Sequence, residues 1–279
     1  MAKILNKNIS LFFIAIILIL GIGVSFLGCT KSKKEISELR IGMELQYPPF
    51  ETTDTKGNPS GISVDIARAL GKYLKQDVKI IDTAWTGLIP SLQSGSIDLI
   101  LSSMTITEER DKTIDFSIPY ARSNLVLLVA KDSPIKKFQD LNAPGRVLAV
   151  KLGTTGEIAA KGYLTKGKIH VFDEVATAVL EVAQKKADAF IYDELTVYKN
   201  WKKNEKTTRM ILTPIKGIEV QYWGMGIKEG RNQLREQINS FIRSFRQKGG
   251  FNKIADKYLG DLKTLFAEKG VPFFFDLKE

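Results

Sequence analysis

One cysteine, one histidine and no second long apolar run remove most of the chemistry open to a 279-residue chain. A single thiol, Cys29, rules out an internal disulfide, so a fold outside the cytoplasm would have to rest on its core. Metal sites of the His/Cys type are excluded by count. Ser-His-Asp catalysis would depend wholly on His170, which sits on a predicted strand with no serine elbow beside it and reads as a structural or surface residue. There is no Walker loop and no Gly-x-Gly-x-x-Gly, and no internal repeat or low-complexity segment. Acids are the scarcer charge, 31 against 41 Lys and Arg, for a net +10. The basic residues are scattered without interleaved aromatics, which argues against a nucleic-acid stripe. No cofactor or metal is expected. Carboxylates suffice for acid–base chemistry, so composition alone leaves an enzyme open.

What is present begins at the N-terminus. Lys3 and Lys7 precede an apolar run from Ile9 through Leu20, which slackens through Gly21, Gly23 and Ser25 to Phe26-Leu27-Gly28-Cys29. A basic start, an apolar stretch and a small residue before a cut site make a signal sequence. The ending resembles the lipobox of bacterial lipoproteins, with Phe26 where Leu, Val or Ile is usual. That resemblance implies removal of residues 1–28 and lipidation of Cys29, which leaves a net charge of +8. The run is also close to the ~20 residues that span a bilayer, so an uncleaved anchor is the other reading. Both place the rest of the chain outside the cytoplasm, on a membrane surface. Residues 29–36, with Lys31, Lys33 and Lys34, read as a tether suited to anionic headgroups.

From Leu39 onward, strand and helix patterns alternate. Leu39-Arg40-Ile41-Gly42-Met43 and residues 78–81 and 97–102 read as strands, and Ile62, Ile66, Ala69, Leu70, Tyr73 and Leu74 keep a helical period. A helix is predicted over 85–93, ended by Gly95. A second set has strands at 147–151, 169–172 and 187–193, and helices opening at Gly153-Thr154-Thr155 and over 175–185. Thr154 and Glu157 stand at capping-box spacing. Leu234, Ile238, Phe241, Ile242 and Phe245 form one helical face, ended by Gly249-Gly250, with a last short helix after it. Alternation of this kind predicts parallel α/β sheets, and two sets predict two lobes.

Open α/β sheets bind ligands at the carboxyl ends of their strands. One such end carries Ser102, Ser103, Thr105 and then Arg110; a guanidinium there suits a carboxylate. Another opens the helix at Thr155, whose free N–H groups favour an anion. A third ends in Asp193, an acid for a cation. Two anion-seeking features and one acid describe a zwitterion. Tyr47 and Trp85 offer apolar walls.

With Tyr47-Pro48-Pro49-Phe50-Glu51, Gly87-Leu88-Ile89-Pro90-Ser91-Leu92, Ser103-Met104-Thr105-Ile106-Thr107-Glu108-Glu109-Arg110, Gly153-Thr154-Thr155 and Gly249-Gly250-Phe251-Asn252 in this order, residues 39–262 resemble the extracytoplasmic solute-binding proteins of polar amino-acid ABC importers. The resemblance implies a two-lobed periplasmic-binding-protein-like α/β fold of type II, with two parallel or mixed sheets joined by a two-strand hinge. Lobe 1 would be 37–120 with 222–279, lobe 2 would be 124–219, and the hinge 120–124 and 219–222. Arg110, with backbone N–H groups near Thr105 and Thr155, would clamp an α-carboxylate. Asp193, the Thr105 hydroxyl and the Ser103 carbonyl would hold an α-ammonium, and Tyr47 and Trp85 would sandwich the side chain. Glu44 falls where the family often has an acid that reads a polar or basic side chain. Lys151 falls where glutamine-binding relatives also have lysine, and Ser63 stands where basic-amino-acid binders commonly have a second acid. Glutamine is therefore expected first, arginine or lysine next. The implied partners are a free amino acid, the permease subunits of an importer, and the membrane through Cys29; a hinge-closing receptor is expected to be monomeric and not an enzyme. Competing readings are a prephenate- or arogenate-type dehydratase, using Glu44 or Glu157, and a sensory or adhesive lipoprotein.

Overall fold

The computed structural model describes residues 38–277, all within one compact unit, residues 37–279. The signal segment, Cys29 and the tether over 29–36 all lie outside the described residues.

The chain opens with β1 (Leu39–Met43), a hairpin of β2 (Thr52–Thr53) and β3 (Pro59–Ser60), α1 (Ile62–Leu74) and β4 (Val78–Asp82). A 3-10 turn (Trp85–Gly87) leads into α2 (Leu88–Ser94), followed by β5 (Leu99–Ile100), α3 (Glu108–Asp111) and β6 (Asp115–Phe116). Then come β7 (Ala121–Ser123), β8 (Leu125–Ala130), β9 (Val147–Lys151), α4 (Thr155–Tyr163), β10 (Lys168–Phe172), α5 (Val175–Ala183), β11 (Ala189–Asp193), α6 (Glu194–Lys203) and β12 (Thr208–Ile211). The chain returns through β13 (Gln221–Trp223) and β14 (Gly226–Ile227) to α7 (Asn232–Gln247) and α8 (Gly250–Glu268).

Two five-stranded sheets result, ordered β4-β1-β5-β14-β6 and β10-β9-β11-β8-β12. In the first, β4, β1 and β5 are parallel and β14 runs against β5 and β6. In the second, β10, β9 and β11 are parallel and β8 is antiparallel to β11 and β12. The fold is thus a mixed α/β arrangement with two sheets flanked by helices. The chain crosses from one sheet to the other and back through the antiparallel pair β7–β13, with Ser123 opposite Gln221 and Ala121 opposite Trp223.

Both faces of each sheet are covered, and residue alternation decides which cluster each side chain enters. On β8, Leu125, Leu127 and Val129 enter one buried cluster while Val126, Leu128 and Ala130 enter another. In the first sheet Leu39, Ile41 and Met43 face α1, α7 and α8. Leu88, Leu92, Ile97 and Ile100 pack on the other face. A Cβ at Gly42 would stand 2.4 Å from Ile97 Cδ1, so the Ile97 side chain would have to shift to admit one.

Three sequence expectations need correction. The strand expected over 97–102 pairs regularly only at Leu99–Ile100. Asp98 there uses its carboxylate on the Arg40 backbone N–H and guanidinium, and the chain turns at Ser103, where φ is 49°. The capping box at Thr154 is not made. Thr154 is the N-cap, but its hydroxyl donates to the Lys151 carbonyl at 2.8 Å, and Glu157 accepts instead from the Gly153 N–H at 2.6 Å. The last helix is not short. Gly249, at φ 70°, ends α7 and caps α8, which runs 19 residues with Phe251, Ala255, Leu259 and Phe266 buried along one face.

Candidate functional site

The carboxyl ends of β1, β5, β9 and β11 and the first turns of α4 and α6 meet around a cleft with a void of about 60 Å³. Glu44, Tyr47, Trp85, Ser103, Thr105, Arg110, Thr155 and Asp193 all line it. Lys151 does not line it directly but is bound to Glu44.

Arg110 lies on the four-residue α3, whose N-cap Thr107 accepts its backbone N–H at 3.2 Å. Its guanidinium donates through Nη1 to the Thr105 carbonyl at 2.7 Å and through Nη2 to the Gly153 carbonyl at 3.0 Å. It also sits 5.3 Å from the centre of the Trp85 ring. Burial draws its pKa down to about 10, so it remains a cation at neutral pH. A guanidinium has five N–H groups, so donors remain for a carboxylate. Beside it the N-terminus of α4 presents the N–H groups of Thr155 and Gly156, which have no acceptor inside their helix. That end also carries the positive pole of the helix dipole.

Asp193 ends β11 and caps α6: Oδ1 accepts the Thr196 N–H at 2.9 Å. Oδ2 is buried and makes no well-formed hydrogen bond, and the Tyr47 hydroxyl, likewise without one, stands near enough to the Asp193 carboxylate for the two to pull on each other's proton. Burial raises the Asp193 pKa, against the pull of Thr196. The Tyr47 phenol is pushed well up, first by burial and then by the negative charge of Asp193. A cation between them would relieve both effects.

At the other end, Lys151 Nζ and Glu44 Oε2 form a buried ion pair at 2.5 Å. The two groups come from the ends of β9 and β1, so the pair joins the two sheets. Lys151 also stands 6.0 Å from the Trp85 ring centre, so that one indole meets both cations. Tyr47 stacks on Phe50, 5.2 Å between centres, and meets Trp223 edge-on.

Several buried groups in or beside the cleft escape sequence reasoning. Glu51 accepts hydrogen bonds from Ser63 at 2.6 Å, Ser103 at 3.1 Å and Ser102 at 3.4 Å. Burial nevertheless raises its pKa to about 8, the Glu44 charge adds to the rise, and the three serines oppose it. Gln221, on β13, lines the cleft with its Oε1 buried and unpartnered. Glu194 accepts from Ser123 Oγ at 2.9 Å and Asn124 Nδ2 at 2.6 Å, fixing α6 to the crossing strand. Glu51 stands in the Tyr47-to-Glu51 run of the sequence, where no role is assigned to it, and nothing local marks Gln221 or Glu194. His170 lies on β10, exposed and away from the cleft, 3.9 Å from Glu181. Among the described residues no cluster of His, Cys, Asp and Glu could hold a metal, and no helix is long and apolar enough to cross a membrane.

The chain is similar to known proteins. The probable histidine-binding protein of Neisseria gonorrhoeae is 28% identical over 221 residues, 78% of this chain and 82% of its own. The structure of an ancestral amino acid-binding protein, a precursor of cyclohexadienyl dehydratase, is 36% identical with a TM-score of 0.71, covering 80% of this chain and 95% of that one. An ancestral arginine-binding protein bound to glutamine is 32% identical with a TM-score of 0.72, covering 80% and 98%. Residues 39–261 match a single family, and on that match the chain belongs to the bacterial extracellular solute-binding proteins, family 3.

Proposed function

We propose that this protein captures a polar L-amino acid outside the cytoplasm and delivers it to the permease of an ABC importer, held at the membrane by lipid on Cys29. One observation carries the reading. Spare guanidinium N–H groups and a free helix N-terminus stand at one side of a buried cleft, and an unpartnered carboxylate oxygen stands at the other. A zwitterion completes both. Arg110 takes the α-carboxylate with N–H groups near Thr105 and Thr155. Asp193, the Thr105 hydroxyl and the Ser103 carbonyl take the α-ammonium. Tyr47 and Trp85 hold the side chain.

The Glu44–Lys151 pair favours glutamine as the ligand, with arginine or lysine second. A paired acid and base offer a neutral wall, with lone pairs left on one and N–H groups on the other, which suits an amide that both accepts and donates. Solved structures of similar fold are bound to glutamine, to arginine and to lysine, so the preference among them rests on the Glu44–Lys151 pair. Arg110 and Asp193 reach the cleft from different sheets, so one ligand bridges lobe 1 (37–120 with 222–279) and lobe 2 (124–219) through a hinge at 120–124 and 219–222. Ligand contacts made only in the closed form supply the differential affinity that closure needs. A second reading, a prephenate- or arogenate-type dehydratase, is favoured only by the likeness to a dehydratase precursor; turnover of either compound tests it.

The test is thermal unfolding of the protein, freed of co-purified ligand, against each of the twenty amino acids. Ligand at 100 times its dissociation constant adds about 2.7 kcal/mol. A rise in Tm with one or a few polar amino acids, abolished in Arg110→Ala, is expected. No rise with any of them would sink the reading.

A further inference from the structure

The match to the family ends at residue 261, yet the chain beyond it is well packed. α8 closes on a left-handed Gly270, φ 64°, with its N–H bound to the Ala267 carbonyl and the Val271 N–H bound to the Phe266 carbonyl. That double contact is a Schellman ending, and Pro272 prevents the helix from continuing. A turn comes next, closed by the Asp276 N–H on the Phe273 carbonyl, with the Asp276 carboxylate accepting the Phe273 N–H at 3.3 Å. Phe273, Phe274 and Phe275 are all buried.

The turn delivers Phe274 to three places at once. Its carbonyl accepts the N–H of Arg122, the middle residue of crossing strand β7, at 2.7 Å. Its ring packs edge-on against Phe50 at 5.0 Å and tilted against Trp223 at 5.6 Å. Phe50 is the ring on which Tyr47 stacks, and Trp223 lines the cleft from β13. The same buried cluster takes in Leu195, in the first turn of the helix that Asp193 caps. The crossing strands, the aromatic wall and the Asp193 helix thus share one buried cluster with Phe274.

We propose that residues 271–277 are a built-in brace of the crossing strands, and that Phe274 is a positioning residue which holds the aromatic wall and couples the chain's C-terminus to ligand affinity. The coupling to affinity rests on the amino-acid-binding reading; the brace itself does not. Phe274 touches the cleft only through Phe50 and Trp223, and a segment outside the family match sets how firmly the hinge is held.

The experiment uses the full chain in detergent, comparing Phe274→Ala, Phe274→Leu and a chain ended after Gly270 with Ile238→Ala. Ile238 lies in the same cluster but on α7. Amide hydrogen exchange in β7, measured relative to β1, and glutamine affinity are the readouts. The brace predicts β7 exchange at least tenfold faster in Phe274→Ala and in the shortened chain. It also predicts glutamine affinity at least fivefold weaker, with Phe274→Leu intermediate. Ile238→Ala should lower Tm comparably and leave both readouts within twofold. Unchanged β7 exchange in Phe274→Leu and the shortened chain overturns the brace, as does an equal change in Ile238→Ala. Faster exchange with unchanged affinity overturns the coupling. If the unmodified chain binds no amino acid, the proposed function fails while the exchange comparison still decides the brace.

Discussion

The two ends of the cleft solve the burial of charge in opposite ways. At the Asp193 end, polar atoms are left open: Asp193 Oδ2 and Gln221 Oε1 make no well-formed hydrogen bond, and the Tyr47 hydroxyl stands beside the Asp193 carboxylate without one. At the Glu44 end, acid and base satisfy each other. Buried polar groups without partners cost ~1–3 kcal/mol each, more when charged, so the first end gains most from a ligand that supplies the missing partner. The second end is nearly complete and gains only what a side chain adds to an existing pair. On the proposed function, such a division would place the shared amino-acid head at the demanding end and leave the variable side chain to the tolerant one.

That contrast can be broken from the paired end first. Lys151→Ala leaves Glu44 buried and alone, and removing one partner of a buried pair costs ~3–5 kcal/mol. Urea or thermal unfolding should show that loss, and a Glu44→Leu/Lys151→Met double variant should recover most of it. If Lys151→Ala also leaves glutamine affinity unchanged, the lysine has no part in reading an amide.

At the open end, Asp193→Asn keeps the helix cap, because Asn caps as well as Asp, but removes the charge. Stability should hold, while ligand affinity falls by ~2–5 kcal/mol, the cost of truncating a buried charge contact. Calorimetric titration separates the two, and an unchanged affinity would remove Asp193 from the ammonium site.

A pH-dependent effect, gradual in each unit of pH, arises at Glu51. Its folded pKa of about 8 lies above the ordinary 4.5, so the native state holds a proton that the unfolded chain releases. Stability from this group is fully present below pH 4.5 and falls as pH rises towards 8, at up to ~1.4 kcal/mol per pH unit. Glu51→Gln should flatten that slope between pH 5 and 8. A parallel pH profile for the two proteins would show that Glu51 does not titrate there.

Much of this was legible in the chain. The period of two in β1, with Leu39, Ile41 and Met43 on one side, and the period of 3.6 in α1 and α7 follow from which face each element buries. Residues at strand ends and first helical turns, among them Arg110, Thr155 and Asp193, could be singled out because an open sheet exposes those ends. Other elements left weak signals. β6, β13 and β14 are two or three residues long and are strands only because distant chain pairs with them. The wholly buried run of β8 shows no alternation, since both of its faces are covered.

Sequence by itself determined the longer elements, the faces they bury and the residue types placed at the strand ends, because these depend on neighbours a few positions away. Tertiary structure alone decided the partnerships: Lys151 with Glu44 across 107 positions, Glu51 among serines up to 52 positions distant, and the Phe274 carbonyl on the Arg122 N–H. Charge and hydrogen-bond energies depend on distance and burial in space, and separation along the chain carries neither.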